Sequence, residues 1–309
     1  AYKQVISNYP GSEEAKIALQ DLKSVYIDLN DINAYASYVN SIGGNIRLEV
    51  GEQDSLTYIA AEKLFMRGDN DGARRSLINY LQTFPEGAFS SNANFYLGSI
   101  AFAKKEFDEA IQRFKSVIAS GDTKFLEESV ARTAEIEYLS KDYPAALESF
   151  KRLQIVAENP ENRQAARLGI MRCALQTGQQ KDALLAADEL LKEPKLSPEL
   201  EAEARYVRAK AYIAQKQANK ALADLKELSK DTRTVHGAEA KYLLAQLYYD
   251  TNDDKNAEKV LMNFLLADIY IRQGDDFQAR QYLTSLQNNY KGDDDIAGMI
   301  ENRLGKLKN

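Results

Sequence analysis

The chain has 309 residues, 44% apolar and 28% charged, with a formal net charge of -6. That length supports a large core or an extended repeat array, and this apolar content excludes a disordered tail. Mild acidity spread along the chain excludes a nucleic-acid-binding role, which needs a basic face.

With 6 prolines, 16 glycines and no tryptophan, the composition favours long helices. No window holds about eighteen consecutive apolar residues, so no membrane-spanning helix is expected. One cysteine, Cys173, allows no internal disulfide.

In chain order, AYKQVISNYP reads as the second half of a helical unit ending at Pro10, so earlier units are expected to precede it. Ala34 is the first candidate for a recurring alanine. The segment 41–54 contains Gly43, Gly44 and Gly51 and is expected to be an irregular loop. Ile46, Leu48 and Val50 alternate within it, but a lone strand would have nothing to pair with.

From there a repeat dominates. The turns RGDNDGA, KKEFDEA, SKDYPAA, TGQQKDA, QKQANKA, TNDDKNA and QGDDFQA end in Ala73, Ala110, Ala146, Ala183, Ala221, Ala257 and Ala279, spaced by 37, 36, 37, 38, 36 and 22 residues. A fixed period in this range marks a stacked architecture. Twelve residues before each alanine stand Ala61, Gly98, Ala134, Met171, Ala209, Ala245 and Ala267, small in six of seven cases. Helices approach closely only where side chains are short, so each unit reads as helix, turn, helix. Apolar residues such as Ile111, Phe114 and Ile118 follow with helical spacing. Pro85, Pro160 and Pro194 are read as helix stops.

The short last spacing predicts about fourteen residues missing between Asn263 and Phe264. The regular repeats are placed at 55–263 and a C-terminal unit at 264–309 of one continuous array.

These residues resemble the tetratricopeptide repeats, most closely in unit 91–126 with Leu97, Gly98, Phe107, Ala110, Phe114 and Val117. The period of 36 to 38 exceeds the nominal 34. The resemblance implies an all-α, right-handed solenoid of about seven antiparallel hairpins. The endings SNYPGSEEA and QTFPEGAFSSNA are similar to envelope members from Gram-negative bacteria, of the outer-membrane assembly and Tol-Pal type. A periplasmic or outer-membrane-associated location is expected on that basis, and whether a signal or anchor precedes residue 1 is left open; a cytoplasmic location is the alternative.

Chemistry is thinly provided. His236 has no second histidine to join it and reads as a solvated turn residue. Cys173 reads as a small core filler. The acidic runs GDNDG, TNDDKN and GDDD do not fit a twelve-residue calcium loop. No phosphate-binding loop or dinucleotide fingerprint is present. No cofactor or metal is expected, and an enzyme working through scattered carboxylates is the third reading, behind the binding roles below.

The resemblance implies that two positions of each first helix face a groove. They include Tyr58, Phe65, Phe95, Phe102, Tyr138, Tyr206, Tyr242 and Tyr249. Residues seven apart share a helix face, so these either form a stripe for a peptide segment or amphipathic helix of another protein, or pack helix on helix. Glu62, Glu128, Glu135, Glu203 and Glu239 outnumber Arg172 and Lys210 nearby, pointing to a basic partner. A glycan-binding module stacking sugars on the tyrosines is the alternative.

Overall fold

The computed structural model describes residues 1–42, 47–121, 123–231, 234–251, 267, 268, 270–272, 274–289 and 296–307. They are helical, with no strand among the described residues. Contacts divide the chain into two compact units, 1–166 and 167–309.

The first unit holds α1 (Tyr2–Asn8), α2 (Glu13–Asp28), α3 (Ile32–Ile42), α4 (Val50–Met66), α5 (Asn70–Thr83), α6 (Ser90–Ala103), α7 (Phe107–Ser120), α8 (Leu126–Leu139), α9 (Tyr143–Val156) and the start of α10 (Pro160–Gln176). The second holds the rest of α10 with α11 (Gln180–Leu190), α12 (Pro198–Ala214), α13 (Ala218–Leu228), α14 (Val235–Asp250), α15 (Asp276–Asn289) and α16 (Ile296–Leu304). Within each unit successive helices pack on one another as antiparallel hairpins: α4 on α5, α6 on α7, α8 on α9, α12 on α13.

One turn design recurs. The residue five before each register position has a left-handed backbone: Asn30, Gly68, Lys105, Lys141, Gly178, Lys216 and Gly274, with φ between 55° and 82°. At Gly68 its N–H donates to Phe65 O, and the next N–H, of Asp69, donates to Leu64 O. This reversal satisfies the last carbonyls of the first helix. Side-chain caps then start the following helix, as where Asp69 accepts from Gly72 N and Asp142 from Ala145 N. The acidic residues of GDNDG therefore serve as a cap and, at Asp71, as a partner for Lys104 at 2.5 Å.

The small residues of the register meet as expected. Ala73, Ala110, Ala134, Ala146, Ala183, Ala209, Ala221, Ala245, Ala267 and Ala279 are all at 0% exposure. Gly98 is also buried, and a Cβ there would stand 2.8 Å from the Phe114 ring, so the glycine makes room for the aromatic of the next helix. Ala257 and the junction at 263 and 264 lie outside the described residues.

Four local expectations need correction. Ala34 is not the register residue. Five residues after the left-handed Asn30 comes Tyr35, whose N–H bonds Asp31 O as that of Ala73 bonds Asp69 O, and Tyr35 is the buried one. The irregular segment is narrower than 41–54, because α3 runs to Ile42 and α4 already begins at Val50, ruling out a strand through Leu48 and Val50. Pro160 starts α10 instead of stopping a helix, since a first-turn proline sacrifices no intrahelical donor. His236 sits in the first turn of α14, stacked on Tyr206 at 4.9 Å, not in a solvated turn.

Candidate functional site

The first helices α4, α6, α8, α12 and α14 carry the expected groove residues, and neighbouring side chains decide how much of each is on offer. Tyr58 is only 2% exposed and Tyr206 9%, so these two are core residues and leave the groove set. Tyr58 stacks on Phe89 at 4.4 Å, donates to Glu62 Oε1 at 2.6 Å and accepts from Asn92 Nδ2 at 3.1 Å. Burial, and then the Glu62 carboxylate, push its phenol well above the usual range. Tyr206 is raised likewise by burial and a hydrogen bond to Glu239.

The other six are half-buried. Phe65 lies against Tyr96 at 4.6 Å, and Phe95 stacks on Phe125 at 4.1 Å. Phe102 meets Phe107 at 6.1 Å on one side and the Arg132 guanidinium at 4.9 Å on the other. Tyr138 packs edge-on to Tyr143 at 5.7 Å and Phe150 at 6.4 Å. In the second unit Tyr242 borders the cluster of Ala267, Ala279 and Leu283. Tyr249 lies under Arg272 at 4.2 Å, its buried hydroxyl without a hydrogen-bond partner among the described residues.

The glutamates are held in place by hydrogen bonds but only partly neutralised. Glu62 accepts from both Tyr58 and Tyr96 hydroxyls, at 2.6 and 3.0 Å. Arg132 bridges Glu128 at 2.8 Å and Glu135 at 2.9 Å, and Arg172 grips Glu203 with two bonds of 2.7 Å.

Two carboxylates invisible to sequence reasoning secure loops in the first unit. Asp54 accepts from the Tyr80 hydroxyl at 2.5 Å and Ala88 N at 2.9 Å, while Tyr80 in turn accepts from Phe89 N at 3.0 Å. A Cβ on Gly87 would come 2.4 Å from the Tyr80 hydroxyl, so the aromatic-proline ending closes on a built hook. Glu127 stands at the same register as Asp54, nineteen residues before its alanine. It accepts from Glu158 N at 3.0 Å, Asn159 N at 3.1 Å and Asn162 Nδ2 at 2.7 Å.

Burial alone would raise the Glu127 carboxyl, but these donors outweigh it and hold it below the usual range. Its contribution is complete above the unfolded value near pH 4.3 and disappears as pH falls through the lower folded value. Glu127→Gln should therefore lower stability by about 1 to 2 kcal/mol at neutral pH. Urea melts of both proteins should converge as pH falls through the lowered folded value; a gap that does not change with pH would contradict the assignment.

Cys173 is fully buried, and desolvation pushes its thiol up to about 11, which leaves it inert. Among the described residues no three His, Cys, Asp or Glu side chains are grouped to hold a metal, and no helix is long and apolar enough to cross a membrane. The acidic runs at 252–256 and 292–295 lie outside the described residues.

Family models described as tetratricopeptide repeat match residues 60–123, 238–265 and 261–293. No curated protein matches the chain. Among solved structures, YrrB, a TPR protein with an unusual peptide-binding site, is similar at 18% identity over 60% of this chain and 91% of its own, with a TM-score of 0.46. MamA is similar at 16% identity over 60% and 94%, TM-score 0.42. A tetratricopeptide repeat protein from Parabacteroides merdae is similar at 14% identity over 93% and 96%, TM-score 0.38.

Proposed function

We propose that this protein, which carries tetratricopeptide repeats, is a non-catalytic scaffold that holds a segment of another protein along its first helices. Repeats of this family commonly mediate protein–protein interaction. The observation that carries the reading is the set of half-buried rings at matching register positions: Phe65, Phe95, Phe102 and Tyr138 in one unit, Tyr242 and Tyr249 in the other. Rings fixed by their neighbours offer contact area at little entropic cost. The rings suit an apolar or amphipathic segment, and the partly neutralised glutamates beside them suit basic residues on its flank.

A photo-crosslinking side chain at Phe65 or Phe102 should capture a defined partner protein in the cells of origin. The same group at Ile155, 84% exposed on the second helix α9, should not. Equal capture from both positions would overturn the reading, as would unchanged capture by the Tyr242→Ala, Tyr249→Ala double variant with the probe in the second unit. We further place the protein in the bacterial envelope on the strength of its two aromatic-proline endings. Fractionation of the full-length protein tests this, and recovery in the cytoplasm would refute it.

A further inference from the structure

Eleven residues before the register alanines stand Glu62, Ser99, Glu135, Arg172, Lys210 and Asp268. Most charges in this row are answered within their own unit. Arg132 pairs with Glu135 at 2.9 Å, Arg172 with Glu203 at 2.7 Å and Arg303 with Asp268 at 2.7 Å, while Lys210 lies over the Tyr206 ring. Glu62 differs. Among the described residues its carboxylate pairs with no cation, and the adjacent Lys63 pairs with Asp28 at 2.9 Å.

The Tyr58 and Tyr96 hydroxyls both donate to one oxygen of Glu62, Oε1, at 2.6 and 3.0 Å, and together they occupy its two lone pairs. Oε2 accepts no bond among the described residues, on a side chain that is partly exposed. Two neutral donors leave the negative charge in place. They also fix its position, because Tyr58 is itself stacked on Phe89 and bonded by Asn92, so the carboxylate has little freedom left to lose when a ligand arrives. Phe65 lies one turn further along α4, with its ring 4.6 Å from that of Tyr96, and gives the carboxylate an apolar neighbour.

We infer that Oε2 of Glu62 receives the ammonium of a lysine in the segment held along the first helices, with the lysine stem lying on Phe65. This deepens the function proposed above and rests on it. Lysine suits the position better than arginine, because a guanidinium pairs best through two parallel bonds that need both carboxylate oxygens, and Oε1 is already filled. An ammonium needs only one. Its charge would do at Glu62 what Arg132 and Arg303 do at Glu135 and Asp268.

Random peptides displayed on phage and selected on the full-length protein test this. Lysine should be enriched beside apolar residues, and arginine much less. Against Glu62→Gln, whose amide oxygen still accepts from both phenols, lysine should return to background while the apolar residues stay enriched. Glu128→Gln removes the same charge from a carboxylate that Arg132 covers and should leave lysine enriched. For the tightest lysine peptide, replacing that lysine with glutamine and introducing Glu62→Gln should each weaken binding about fivefold, and both together no more than either alone. Apolar enrichment without lysine would overturn the inference and leave the first-helix reading standing, whereas no enrichment of any peptide would overturn both. Arginine enriched as strongly as lysine, lysine retained against Glu62→Gln, or additive losses in the paired substitutions would also overturn the inference.

Discussion

Replacing Asp224 with alanine should lower the stability of the 167–309 unit by about 3 kcal/mol. Asp224 is 2% exposed and accepts from Arg208 Nε and Nη2, both at 2.7 Å, and from Arg205 Nη1 at 3.1 Å. Arg208 also donates to Asp188 at 2.9 Å, and Arg205 to Glu201 at 2.7 Å, so α11, α12 and α13 are joined through Arg208. The hydrogen bonds to Asp224 are the main reason the Arg208 guanidinium holds its proton more firmly than usual, against the opposing effect of burial. Removing Asp224 leaves two guanidinium groups short of a partner where water reaches them only in part.

Breaking a buried pair from one side costs about 3 to 5 kcal/mol. The lower end applies here because the Arg205 and Arg208 side chains keep 30% and 23% of their exposure. Urea melts should show the loss, and hydrogen exchange should localise it to α12 and α13. A double-mutant cycle with Arg208→Ala should return a favourable coupling above about 1 kcal/mol. A loss below about 1 kcal/mol for Asp224→Ala would mean that water supplies what the carboxylate does.

That network was not legible in the sequence, and the reason is geometric. Asp224, Arg208 and Asp188 come from three helices, and no other repeat carries the same set, so periodicity offers nothing to compare. Asp54 and Glu127 do share a register position, but two carboxylates among several repeats do not stand out from a charged surface. The alanines were legible because the same steric demand recurs at each hairpin and leaves the same small residue behind. The turn was half-legible: Gly68, Gly178 and Gly274 advertise a left-handed residue, while Lys105, Lys141 and Lys216 occupy it silently. Reading the turn before the alanine would have placed Tyr35, not Ala34, in register. The groove was the least legible part, because seven-residue spacing puts residues on one face without saying whether a neighbour such as Phe89 covers that face, as it does at Tyr58.

Enlarging the register alanines tests the packing on which all of this depends. Ala110 belongs to a cluster with Ala101, Phe114 and Ile136, all at 0 to 1% exposure, and Ala146 is equally closed. Leucine at either position adds three heavy atoms at a site closed to solvent between packed helices, so the helices must part or a side chain must leave its rotamer. Ala110→Leu and Ala146→Leu should each cost about 1 to 3 kcal/mol. Gly98→Ala acts on the same contact from the first helix, since its Cβ meets the Phe114 ring, so its loss should not add to that of Ala110→Leu. Ile155→Ala, on an outward-facing position, should change stability by less than about 0.5 kcal/mol. If the two leucine variants melt with that control, the hairpins are held by something other than close approach at these residues, and the half-exposed ring faces they position lose their common frame.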